Sequence, residues 1–340
     1  LNTYSGPIWY ISTSGNDTTG TGAAGNAFAS IQAGINFSSS GDSITVAAGT
    51  YVENIIFRNN DIKVVGEDVA TRIIDGNNYG RVVTIQDGAS NSLLSSFTIQ
   101  NGYAFYDGSD MWSHTGGGIS IIGSDYVTID NCIIKDNVAD DRGSGAMLSA
   151  DFAILKNSII TSNTGGWTGG VAVQGDLNVT LLNNTIINNS ANGLWLTSGA
   201  DVELVQCIII NNSENEIEFR DIDGPVFLTV SYSNVKGGQD SIVTNNNGTV
   251  TWGSGNIDVD PMFVDTANGN FHLLASSQLI NAGHQDSTDS DGSRADMGAY
   301  PYLNSYSGPT WFVSSSGNDT TATGATGDPF RSIQAGINFS

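Results

Sequence analysis

The feature that most constrains this chain is one eleven-residue phrase written four times between residues 127 and 212. It runs from Val127 through Asn131 to Asn137, then from Ala153 through Asn157 to Asn163. It returns from Val179 through Asn183 to Asn189, and from Val202 through Gln206 to Asn212. The copies are spaced 26, 26 and 23 residues apart. A repeat this short cannot bury an apolar face alone, so the copies must stack. Each holds a few β-branched residues in alternation, an amide, a second aliphatic run and a second amide. That pattern is strand, turn, strand, turn, with no helical period between. It predicts an all-β chain in the form of a parallel β-helix, one coil per copy.

The amides make two expected columns. Asn131, Asn157, Asn183 and Gln206 fall above one another at one corner; Asn137, Asn163, Asn189 and Asn212 form the second. A carboxamide both donates and accepts, so amides stacked at strand spacing can bond up and down a ladder. Asn also tolerates the left-handed backbone of a sharp corner. Cys132 and Cys207, the only cysteines, follow the first column three coils apart, roughly 14 Å at about 4.8 Å per coil. A disulfide spans at most about 7 Å between Cα atoms, so two buried thiols are expected.

A second repeat has a much longer period. Residues 1–38 return as 303–340 at a constant offset of 302, with 28 of 38 positions identical, and Ser30 to Ser38 recurs unchanged. In the first copy, Ile8 to Ser12 reads as a strand, and Phe28 to Phe37 reads as a short helix carrying Phe28, Ile31 and Ile35 on one face. Such a helix would cap the open edge of a solenoid. The expected organisation is a strand and capping helix over 1–40 and about ten coils over 41–302, with a loop insertion at 103–117. Residues 303–340 would then start the next tandem unit, and residue 1 would open a mature or excised segment.

The opening motifs Phe28-Ala-Ser-Ile-Gln32, Gly41-Asp-Ser-Ile-Thr-Val46 and Gly49-Thr-Tyr51 resemble those of secreted right-handed parallel β-helix proteins of the pectate-lyase-like superfamily. The family's proline before the helix is Ala27 in the first copy and Pro329 in the second. The closing stretch, Asp258 to Tyr302, is similar to the end of bacterial surface proteins of this type. The resemblance implies a right-handed β-helix and an extracellular or cell-surface setting. It does not select a function, since the superfamily holds lyases, hydrolases, esterases, adhesins and fibres.

Charge narrows the partners. The formal net charge is −23, from 11 Lys+Arg against 34 Asp+Glu, which opposes binding to nucleic acid, anionic membranes or a polyanionic sugar. No apolar run is long enough to span a bilayer. The scattered cations offer no lyase base, and no carboxylate cluster builds up beside Asp140 and Asp141, so no catalytic residues are expected. Asp289, Asp291 and Asp296 surround a glycine turn, and hard oxygen ligands in a tight loop suit Ca²⁺; Asp258, Asp260 and Asp265 are a weaker set. In the strand before each amide phrase, Ser120, Met147, Ala172 and Trp195 face away from the core in one column, with Trp112 and Trp167 in nearby loops. Met147, Trp195, Trp112 and Trp167 are therefore candidates for glycan or lateral contact, unless the 103–117 loop covers them. The expected function is a structural unit of an extracellular filament, with copies of itself joined end to end. A carbohydrate-binding adhesin, or a β-helix polysaccharide lyase or hydrolase, is the alternative.

Overall fold

The computed structural model describes residues 4–106, 108, 113–175, 178–220 and 224–340. Three parallel sheets wrap a single aliphatic core. The first has ten strands, from Ile8–Ile11 to Gly248–Trp252; the second has eight, from Gly49–Val52 to Asn234–Val235; the third has seven, from Ile55–Arg58 to Ile217–Phe219. The chain visits them in that order, so seven turns are complete. That is fewer than the ten expected. Among the described residues no further strand joins the third sheet after Phe219, while the first two sheets continue to Trp252 and Val235.

In-register parallel pairing stacks like on like. Ile129 lies over Leu155, then Leu181, Leu204 and Val230. Ile134 lies over Ile160, Ile186 and Ile209 in the second sheet. All of these are buried, and each stabilises the fold by about 2 kcal/mol.

Helix α1 (Ile31–Phe37) covers the first coil. It is N-capped by Ser30, whose hydroxyl accepts from the amide of Ala33, and it buries Ile31 and Ile35. Trp9 stacks on Phe28, and its indole N–H donates to Asp42 at 2.8 Å.

Residues 257–302 do not coil. A hairpin of Phe263–Asp265 and Asn270–Leu273 opens this closing segment. The rest lies along the outside of the second sheet, where Phe271, Leu279, Ile280 and Met297 cover the outward-facing Ile159, Ile187, Ile208 and Ile210. Outward isoleucines on three successive strands need such a cover, and the closing segment supplies it. Among the described residues no helix is long and apolar enough to cross a membrane.

Candidate functional site

The two amide columns do different work. Asn137, Asn163, Asn189 and Asn212 are buried in a continuous ladder. The Nδ2 of Asn137 donates to Oδ1 of Asn163, that of Asn163 to Asn189, and that of Asn189 to Asn212, each at 3.0 Å. Each oxygen also accepts the backbone N–H of the amide residue before it. Each Nδ2 also reaches a carbonyl one coil back, such as Ile134 or Ile160. The ladder ends on Glu216, which accepts from Asn212 at 2.7 Å; burial pushes its carboxyl above the usual range.

The other column is not an amide ladder. Asn131, Asn157, Asn183 and Gln206 all have positive φ, between 51° and 54°, so their shared requirement is the left-handed corner. Only Gln206 donates to its neighbour, Asn183, at 2.8 Å. Asn157 turns instead to Asp130, and Asn131 to Ser96.

A further buried column follows this corner, built from Cys132, Ser158, Asn184, Cys207 and Ser233. Each backbone N–H donates to the next side chain along, at 3.0–3.4 Å. The cysteines are free and buried, and burial pushes both thiols up to about 12. They are inert hydrogen-bonding spacers.

The outward column of the third sheet does not form a platform. Ser120, Met147, Ala172 and Trp195 do stack in register, but Trp195 is only 3% exposed and Met147 is fully buried. Gly116 lies on Ser120 and Gly143 on Met147, so the loops entering each strand fold back over the sheet. The guanidinium groups of Arg142 and Arg220 sit over Trp195 at 5.5 and 5.8 Å. Trp195 and Met147 are therefore packing residues, not surface contacts. Trp112 lies outside the described residues.

A group of exposed rings lies at the corner joining the second sheet to the third. Trp167 is 66% exposed there, and Tyr79 and Tyr106 are also exposed. Tyr79 and Tyr103 each lie 5.7 Å from Phe105, and Tyr106 meets His114 edge-on at 5.2 Å. These rings come from three coils, and a fourth between them supplies Asp140 and Asp141, so the strip spans roughly 15 Å along the axis. Carboxylates run beside the rings. Asp140 accepts from the Tyr103 hydroxyl at 3.0 Å and from the amide of Tyr106 at 3.2 Å, which pushes the Tyr103 phenol up. Asp141 pairs with Arg142 at 2.8 Å and with His114 at 3.5 Å. Its carbonyl accepts the amide of Trp167, which brings the two backbones together. The Nδ1 of His114 has no partner among the described residues. Sequence reasoning missed Tyr79, Tyr103, Phe105 and Tyr106 because they sit in loops with no common phase.

The carboxylates of the acidic turn at 289–296 accept hydrogen bonds from neighbouring backbone amides. Asp296 is buried, and its two oxygens accept the amides of Asn281 at 2.7 Å and Tyr302 at 2.6 Å. Asp289 accepts the amide of Asp296 itself, and Asp291 accepts those of Ser293 and Asn304. Burial pushes the carboxyls of Asp296 and Asp289 up to about 7 and about 6. These oxygens tie the turn together. In the weaker set, Asp260 accepts the amide of Met262, and Asp265 caps a short 3₁₀ turn. No three His, Cys, Asp or Glu side chains converge as a metal site among the described residues.

Seven parallel turns around an aliphatic core define a β-helix. Residues 88–262 match the family model for the right-handed β-helix region. The chain belongs to that family, as the opening motifs led us to expect. No curated protein matches it in sequence. Among solved structures it is similar to the pectate lyase Pel9A, at 16% identity and a TM-score of 0.48, over 87% of this chain and 96% of that one. It is also similar to a pectin methylesterase from Aspergillus niger, at 12% identity and a TM-score of 0.40, over 86% and 95%. A carrot pectin methylesterase matches at 13% identity and a TM-score of 0.38, over 74% and 91%.

Proposed function

We infer that the protein binds neutral polysaccharide along the strip from Tyr79 to Trp167, in an extracellular or cell-surface setting. One observation carries this reading: exposed rings and carboxylates share one corner over four successive coils. Aromatic faces cover the apolar face of a sugar ring, and carboxylates and imidazole hydrogen-bond its hydroxyls. A run of such groups along the rod axis suits an extended chain. The net charge of −23 disfavours a polyuronate, and Arg142 is already engaged by Asp141 and Trp195. Both carboxylates are held by the protein's own groups, so among the described residues the strip lacks the free pair of acids that glycoside hydrolysis uses. Binding, not turnover, is the activity we assign to it.

The test is titration of a panel of neutral and uronic-acid oligosaccharides. Binding of a neutral member, weakened at least tenfold by Trp167→Ala with the melting temperature unchanged, is the expected result. A panel with no neutral binder, or a Trp167→Ala protein that binds as well as the parent, would refute it.

A second reading, a structural unit of an extended array, is favoured by the recurrence of residues 1–38 at 303–340. Electron microscopy of the native material tests it: rods with a regular axial repeat support it, and discrete single particles oppose it.

A further inference from the structure

The two copies of the opening module have the same interior and different surroundings. In the first, Trp9 lies 6.2 Å from Phe28, Phe28 lies 5.0 Å from Phe37, and Tyr4 meets Trp9 edge-on at 5.3 Å. In the second, the matching distances among Trp311, Phe330, Phe339 and Tyr306 are 6.2, 5.2 and 5.0 Å. Ser332 caps helix α2 (Ile333–Asn338) as Ser30 caps α1.

The first module is seated on a coil. Its strand Ile8–Ile11 pairs in parallel with Ser43–Val46. Gln32 exchanges side-chain hydrogen bonds with the backbone of Ile56 at 2.7 and 3.2 Å, and Glu53 accepts the amides of Ile31 and Gln32. Ile31 and Ile35 are 0% and 4% exposed.

The second module has no such seat. It rests on the closing segment, where Asn338 donates to the carbonyls of Ala275 and Ser277 and Tyr302 donates to that of Ala322. Ile333 and Ile337 are 74% and 57% exposed, and Val313 is exposed beside them. Residues 310–313 pair with no strand of a sheet among the described residues. Gln334 reaches only Asn338 within its own helix.

We propose that this open face, formed by residues 310–313 with Ile333, Gln334 and Ile337, is the seat of a further β-helix coil of the 41–58 type, supplied by continuation of the chain. The first module shows the occupant directly, because an identical helix there is covered by such a coil. A second copy of the chain is a poorer occupant, since its own coil at 41–58 is already capped by its own α1. The open strand adds the coil's first strand by parallel pairing, and the isoleucines lose their water. Because the second module sits beside the closing segment, the new coil starts a helix displaced sideways from the first. This inference concerns the joint between units and is independent of the glycan strip.

The experiment extends the chain beyond Ser340 with a copy of residues 39–101 and follows hydrogen exchange. The expected result is at least tenfold slower exchange over 311–313 and 333–335 than in the 340-residue chain. Unchanged exchange there would overturn the proposal. Because an added segment can fail to fold for reasons of its own, a second variant asks the question without one. Ile31→Asp in the 340-residue chain unseats α1 and leaves the 41–58 coil open to the second module of another copy. A dimer in light scattering, abolished by adding Ile333→Asp, supports the proposal, and a monomer overturns it.

Discussion

The two amide columns of the central coils share a spacing, yet one is buried throughout and the other is half-buried except at Gln206. At Asn163 the side chain is the structural element. It accepts from the backbone and carboxamide of Asn137 and donates to Ile134 and Asn189. At Asn157 the backbone is the element, because φ is 52° and the side chain merely meets Asp130. Period alone locates a corner; which way the corner's side chain points decides whether it holds the rod together.

This contrast can be broken in graded ways. The largest effect is expected at Asn163→Ala. It leaves the backbone N–H of Asn137 without a partner in a dry interior and removes one hydrogen bond each from the carboxamide of Asn137 and the carbonyl of Ile134. At about 1–3 kcal/mol for the orphaned N–H and about 1 kcal/mol for each of the other bonds lost, the loss is about 3 kcal/mol or more. Chemical unfolding of the variant checks this.

Next in size is a pH effect at the closing segment, where the corner column meets the backbone of Asp296 through Asn183. Burial holds the carboxyl of Asp296 up at about 7 and that of Asp289 at about 6. Between pH 4 and 7 the folded protein therefore binds more protons than the unfolded chain, and stability falls as pH rises through that window. The melting temperature should be lower at pH 8 than at pH 5, and Asp296→Asn should reduce the difference.

A smaller loss, about 1 kcal/mol, is expected for Asn157→Ala, which puts an ordinary residue in the left-handed region. Smallest is Asn157→Gly, within a few tenths of the parent, because glycine accepts that backbone freely. Thermal melts of the pair separate the backbone requirement from the side-chain contact with Asp130.

Much of this architecture was legible in the sequence. The spacing of Asn137, Asn163, Asn189 and Asn212 gave the coil length and the buried ladder, because a repeated chemical requirement repeats its residue. The column from Cys132 to Ser233 stayed hidden because three residue types satisfy the same hydrogen bond. Trp195 and Met147 cluster with Ala172 apart from the main core. Their cover comes from loops around Gly116 and Gly143, whose path over the sheet has no periodic signature. The candidate strip was least legible of all. Tyr79, Tyr106 and Trp167 share one corner only because successive coils place their loops side by side, and the closing segment hides its role because it covers the sheet without coiling.

The central claim is that the buried amide ladder, and not the corner amides, carries the rod. It is tested most directly by urea unfolding of Asn163→Ala beside Asn157→Ala under identical conditions. The account predicts that the first loses about 2 kcal/mol more than the second. Equal losses, or a larger loss at Asn157, would contradict it.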